Sequence, residues 1–167
     1  NDSGATQMKQ GYKVILGVIG SDCHVVCNRI LDRVLSDNGI EVVNLGVMVS
    51  QEEFVAAAVA EDADAILVSS IYGHGEIDCA GMRERCEERG AGEIVLYAGG
   101  NLVIGKKDWR DVEALFLDMG YDRVFRPSVN LAEMIAGLRR DIDQRRVPQL
   151  GHNSAAFETG APFLEAR

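Results

Sequence analysis

The sequence predicts an α/β chain with a flavodoxin-like (Rossmann-like) five-stranded parallel sheet, strand order 2-1-3-4-5, and helices on both faces. Two observations carry this expectation. Five short apolar or β-branched runs alternate with five stretches of helical spacing, and turn-forming residues punctuate the boundaries. With right-handed crossovers, that alternation puts the first strand beside the third.

Taken in order, residues 13–19 form a nearly continuous apolar run, as expected of a central strand buried on both faces. Residues 24–36 follow with helical spacing and are stopped by Asp37, Asn38 and Gly39. The second strand is expected over residues 41–45. Ser50, with Glu53 three residues on, reads as a capping box for a helix over residues 51–61. A third strand over 65–69, a helix over 80–88, a fourth strand over 94–98 and a helix over 109–119 closed by Gly120 repeat the unit. The short run 123–125 is the fifth strand, ahead of a helix over 131–142. Residues 12–146 are thus expected to form one domain, with 1–11 as a flexible lead. Residues 147–167 carry Pro148, Gly151, Gly160 and Pro162 with little periodicity, and read as an extension.

Composition removes several classes of function. The net charge of -9 argues against a nucleic-acid partner, which draws on clustered Lys and Arg. The basic pairs Arg139-Arg140 and Arg145-Arg146 are interrupted by Asp141 and Asp143 and read as a solvated helix face. No apolar stretch approaches the roughly 20 residues of a bilayer span, and the first ten residues lack the order of a secretory signal, so no membrane association and a cytoplasmic location are expected. Cys23, Cys27, Cys79 and Cys86 form no C-x-x-C and read as reduced thiols rather than a zinc site.

In this topology ligands bind beyond the carboxyl ends of the strands, near the point where strand order reverses. The loops that matter are 20–24, 70–75 and 99–105. The first holds Asp22, Cys23 and His24. An imidazole two residues from a carboxylate can have one ring nitrogen held while the other serves as a neutral metal ligand, which suggests a metal-bearing cofactor. Asp22 as a helix cap, with His24 on the helix surface, is the other reading. Ser69 and Ser70 can donate to a ring nitrogen or a phosphate, or merely finish the strand. Gly99 and Gly100 remove Cβ atoms where something flat could approach the backbone, or else serve a tight turn. Other nucleotide sites fit poorly. No G-x-G-x-x-G follows the first strand, where Gly17 and Gly20 stand three apart, and no Walker-type lysine is present. A receiver-type acidic cluster is also missing, with Asp22 alone after the first strand and Arg126 where a lysine would be needed.

With His24 on the first loop, Ser69 and Ile71 on the second and Gly99-Gly100 on the third, the chain resembles the cobalamin-binding domains that hold the cofactor base-off through a histidine, whose pattern is D-x-H-x-x-G, S-x-L and G-G. The resemblance is nearest to the small subunits of glutamate mutase, also called methylaspartate mutase. It is carried by residues 17–24, 68–79 and 99–106 and spans about residues 13–127. The resemblance implies that His24 is the lower axial ligand of cobalt and that Asp22 hydrogen-bonds its other ring nitrogen. It implies that Ser69 meets the displaced base, and that Gly99, Gly100, Asn101, Leu102, Val103, Ile104 and Gly105 line the slot and the nucleotide tail. Ser21, Cys23, Val25, Ser70 and Ile71 complete the implied cofactor-binding set, and no catalytic residue is assigned. The implied cofactor is adenosylcobalamin. The implied partner is a large barrel-type catalytic subunit that holds glutamate, giving a hetero-oligomer in which homolysis of the cobalt–carbon bond begins the conversion to 3-methylaspartate.

Two residues depart from the pattern. Ile71 replaces its leucine, a change usually under about 1.5 kcal/mol, and Cys27 replaces its glycine, where overpacking of ~1–3 kcal/mol is expected. The leading reading is therefore the cobalamin-carrying subunit of a mutase, inactive alone. The alternative is a stand-alone cobalamin-binding carrier or sensor, although methyl carriers bring a helical bundle for which the eleven residues before the first strand leave no room. A flavodoxin-like interaction protein without cofactor is the third reading.

Overall fold

A computed structural model describes residues 11–20, 25–70, 75–100, 102 and 108–160, with side chains described to residue 146 except at 75 and 76. Its sheet has five parallel strands in the order β2-β1-β3-β4-β5. These are β1 (Tyr12–Val18), β2 (Ile40–Asn44), β3 (Ala65–Ser70), β4 (Val95–Gly100) and β5 (Arg123–Phe125). The expected strands stand, with ends shifted by one or two residues.

Strand alternation divides the core in two. Ile15, Ile66, Val68, Leu96, Ala98 and Val124 face the helices α2 (Gln51–Glu61), α4 (Met82–Glu88) and α5 (Trp109–Asp118), where Phe54, Met82, Cys86 and Phe116 are fully buried. Val14, Leu16, Ala65, Leu67, Val95 and Tyr97 face α1 (Val26–Asp37) and α6 (Leu131–Gly160), through Leu35, Met134, Ile135 and Leu138. The Ser50 capping box forms as expected: Glu53 N–H donates to Ser50 Oγ at 3.1 Å, and Ser50 N–H to Glu53 Oε1 at 2.8 Å.

Two elements differ from the sequence reading. A five-residue helix, α3 (Gly75–Cys79), stands where only a loop was expected, and α6 continues past residue 142 to Gly160. The end of α3 is fixed from outside: Gln51 Nε2 donates to the carbonyls of Asp78 and Ala80, both at 2.6 Å, and the Tyr121 hydroxyl to that of Cys79 at 3.0 Å.

The arginines of α6 do not form a solvated face, which corrects that expectation for three of the four. Arg145 Nη1 donates to the Glu93 carbonyl at 2.7 Å and its Nη2 pairs with Asp122. Arg146 Nη2 donates to the Gly11 carbonyl at 2.5 Å and lies 3.3 Å from Asp64, while Arg139 donates to the Asn38 carbonyl. Arg83, from α4, donates to the carbonyls of Gly92, Ile94 and Gly120 and pairs with Asp122 at 3.0 Å. Gly11, Asp64, Ile94 and Asp122 directly precede β1, β3, β4 and β5. Long cationic side chains here satisfy carbonyls at the amino end of the sheet, which interrupted charge patterning in sequence does not reveal.

Candidate functional site

At the opposite, carboxyl end, register brings Ser69 and Gly99, both predicted from sequence, into one row with Val18 and Phe125. Val18 pairs with Ser69, Ser69 with Gly99, and Gly99 with Phe125. In-register residues of a parallel sheet share a face, and two residues back on that face stand Leu16, Leu67 and Tyr97. The row therefore continues the α1/α6 side. It consists of a buried valine, a half-buried hydroxyl, a residue with no side chain and a half-buried aromatic ring that packs on Tyr97 with centroids 5.2 Å apart.

Helix α1 packs on β1 and β2, and α6 on β4, so the end of β3 with Ser69 lies between the two helices. On α1, Asn28 and Asp32 turn toward Asn44 at the end of the edge strand β2. By helical spacing, Cys27, Ile30 and Val34 then lie on the flank of α1 away from β2, with Val34 packed against the core and Cys27 and Ile30 open. Cys27 is exposed with a free thiol, and Ile30 is 51% exposed, so this side of α1 is apolar and uncovered near its start.

Gly99 and Gly100 have different reasons to be glycine. Gly100 has φ +111, and a Cβ there would overlap the Ser70 carbonyl oxygen, so the tight-turn reading holds for it. Gly99 has an ordinary φ, and among the described residues a Cβ would find only Phe125 atoms, at 3.6 and 3.7 Å. None of the described residues demands glycine at 99. An added side chain would stand over the row.

His24 and Asp22, with Ser21, Cys23, Ile71, Asn101, Val103, Ile104 and Gly105, lie outside the described residues. The point from which their loop departs is fixed: Ile19 N–H donates to the Ser69 carbonyl at 3.0 Å, and Gly20 N–H to the Val49 carbonyl at 2.9 Å. Helix α1 begins at Val26 with Val25 at its N-cap position and no side-chain cap, so positions 22 and 24 both precede the helix. Of the remaining expected residues, Ser70 alternates to the other face and is buried. Leu102 is buried in the core cluster that includes Val112 and Phe116 of α5.

Three residues were not singled out from sequence. Phe125 reaches the row through register with Gly99, which a separation of 26 residues hides. Asp78 falls within residues 68–79 of the resemblance, which gives it no role. Its carboxylate lies against Gly20, which has φ +74 and where a Cβ would overlap it, so α3 braces the turn from which residues 21–24 leave. Tyr97, beneath the row, donates to Asp141 Oδ2 at 2.5 Å, and burial first, then this hydrogen bond, raises its pKa. The thiols of Cys79 and Cys86 serve packing. Burial pushes Cys79 up to about 12 and raises Cys86 as well, which leaves both protonated and inert.

The large apolar residues that remain exposed gather mostly at this same end. Val25, Val26 (69% exposed), Met48 and Ile77 (74%) follow the carboxyl ends of β1, β2 and β3, whereas Val59 and Leu117 lie on α2 and α5. No helix among the described residues is long and apolar enough to cross a membrane.

Comparison with known proteins agrees with this geometry. The B12 binding domain family model matches residues 12–133. The chain is 60% identical over 132 residues to the glutamate mutase sigma subunit of Escherichia coli O157:H7, covering 79% of this chain and 89% of that protein. It is 54% identical over 130 residues to the same subunit of Clostridium cochlearium, covering 78% and 95%. In structure it resembles a cobalamin-binding protein from Desulfitobacterium hafniense DCB-2, with a TM-score of 0.64, 19% identity and coverage of 78% and 58%, which shows a shared fold.

Proposed function

The chain belongs to the B12 binding domain family, among the glutamate mutase sigma subunits, and on that premise we propose that residues 22–24 and the row Ser69–Gly99–Phe125 are the parts by which it holds its cofactor. It is the cobalamin-carrying subunit of an isomerase that interconverts L-glutamate and 3-methylaspartate, and it acts as part of a complex. Bound adenosylcobalamin supplies the homolytic chemistry that starts the rearrangement. What the polypeptide contributes is placement.

In this reading His24 offers a neutral imidazole nitrogen to cobalt, and Asp22 holds the other ring nitrogen, fixing its tautomer and raising its basicity. The gap between α1 and α6 beside Ser69 would hold the cofactor's base. Ser69 offers a hydroxyl to its ring nitrogen, Phe125 an aromatic wall, and Gly99 the space of a missing side chain. The apolar side of α1 at Cys27 and Ile30 covers it. Gly99 is the observation that carries the assignment, because its lack of a side chain answers no need of the backbone among the described residues.

The partner we propose is a large barrel-type subunit that holds glutamate. Reactive radicals need a site closed to water and oxygen, and the exposed Val25, Val26, Met48 and Ile77 give the carboxyl end the apolar character of a surface meant to be covered. A cytoplasmic location accords with thiols at Cys79 and Cys86 that pack as free side chains.

The test is an absorption spectrum of the purified chain with adenosylcobalamin. We expect the base-off, histidine-ligated form for the parent. His24→Ala should keep its fold and melting temperature but lose that spectrum and at least tenfold in affinity, since it removes the nitrogen donor and little core. An unchanged spectrum in His24→Ala would sink the ligand assignment.

A further inference from the structure

Tyr97 is buried on β4, on the sheet face that it shares with Val14, Leu16, Ala65, Leu67 and Val95. Among such neighbours a phenylalanine would bury the same ring with no polar group to satisfy. The Tyr97 hydroxyl instead crosses to α6 and donates to Asp141 Oδ2 at 2.5 Å. Asp141 also accepts from Arg123, from Nε at 2.6 Å and Nη2 at 3.0 Å. Arg123 is the register partner of Tyr97 and stands two residues before Phe125, on the same face of β5. One carboxylate of α6 thus fixes both the ring beneath Phe125 and the side chain that precedes it along the strand.

Phe125 depends on that support. β5 is an edge strand of three residues, so Phe125 has a neighbouring strand on one side only. Its half-buried ring packs on Tyr97, with centroids 5.2 Å apart and planes inclined at 60°. A tilted aromatic pair sets the direction of a ring as well as its place, and a buried polar contact can fix one geometry without adding stability. We propose that Tyr97 is a positioning residue: tethered by its hydroxyl to Asp141, it sets the Phe125 ring as the wall of the base site, and so makes the chain select corrinoids that carry an aromatic lower base. Resting on the cofactor reading above, this extends it from the residues that would touch the base to the one that holds their wall in place.

Two ligands separate placement from bracing. Adenosylcobalamin carries the base, whereas adenosylcobinamide has the same corrin and cobalt and ends before the nucleotide. The parent should bind adenosylcobalamin at least about tenfold more tightly. Tyr97→Phe keeps the ring, so the core stays filled, and cuts the tether. It should weaken adenosylcobalamin binding about three- to tenfold and leave adenosylcobinamide within about twofold. Phe125→Leu removes the aromatic wall and should cost adenosylcobalamin about tenfold, again sparing adenosylcobinamide. Because Tyr97 acts through Phe125, Tyr97→Phe should add no further loss in a chain that already carries Phe125→Leu. Equal losses for the two ligands in Tyr97→Phe overturn the proposal, since they mark a structural brace. Losses that add in the double variant overturn it as well, since Tyr97 would then act by another route. A parent that does not prefer adenosylcobalamin rejects the base site, and with it the cofactor reading of the row, whereas a preference that Tyr97→Phe leaves intact rejects Tyr97 alone.

Discussion

Gly99 and Gly100 are adjacent in sequence and identical in chemistry, yet the fold uses them for unrelated ends, and substitution should separate them. At Gly100 any side chain meets the Ser70 carbonyl and an unfavourable φ of +111, so Gly100→Ala should cost at least ~1–3 kcal/mol of unfolding free energy. Gly99→Val places its methyls above the row where the backbone tolerates a Cβ. Its unfolding midpoint in denaturant should stay near that of the parent, while cobalamin affinity falls about ten- to a hundredfold through overpacking of ~1–3 kcal/mol. Equal affinities for Gly99→Val and parent would remove the row from the cofactor site. The pair also marks how far sequence can be read at this scale. Two glycines after a strand announce that a Cβ is unwelcome, but the Ser70 carbonyl that excludes it at one and the open space above the other come only from strand pairing. Phe125 is hidden for the same reason, since register alone sets it beside Gly99.

Among the elements, α6 shows what sequence periodicity leaves out. Its start at residue 131 is legible from spacing, as are α2 with its capping box and the β-branched strands. What α6 binds is not legible, because its partners lie at distant positions of the chain. Asp141 is the centre of one such attachment. Arg123 donates to it from Nε at 2.6 Å and Nη2 at 3.0 Å, and Tyr97 from its hydroxyl. Burial pulls the Asp141 carboxyl upward, but the bonds from Arg123 and Tyr97 outweigh this and leave it below its ordinary value. A carboxyl lowered by folding contributes stability that is whole above its unfolded value, about pH 4, and drains as the pH falls through the folded value. Asp141→Asn should therefore be less stable than the parent near neutrality by ~1–3 kcal/mol, with the difference shrinking below about pH 4. Denaturant unfolding at several pH values measures it, and a difference that grows in acid contradicts the assignment. The short α3 escaped notice because five residues carry too little periodicity. It is held by Gln51 and Tyr121 rather than by its own propensity.

Across the whole molecule the two ends of the sheet are built to different specifications. The amino end is closed by Arg83, Arg145 and Arg146 on carbonyls and carboxylates. The carboxyl end leaves Val26, Met48 and Ile77 exposed. If that end meets the large subunit, a charge placed there should oppose assembly. Ile77→Asp should weaken association at least tenfold in a titration followed by mutase activity or by sedimentation, with the isolated chain's stability unchanged. Leu117→Asp, on α5 and away from that end, should assemble like the parent. Equal weakening by both, or by neither, would move the docking surface elsewhere. The strand order was legible from alternation alone, and with it the end at which a ligand must sit. The asymmetry between the ends was not, because it depends on which arginines reach which carbonyls.

The arginine clamp also separates the two burdens a carrier bears. Arg83, Arg145 and Arg146 fasten the entrances of the strands through bonds that use none of the row Ser69–Gly99–Phe125. Substitutions in the row are therefore expected to change what the chain holds while leaving its resistance to denaturant nearly untouched, and substitutions in the clamp to do the reverse.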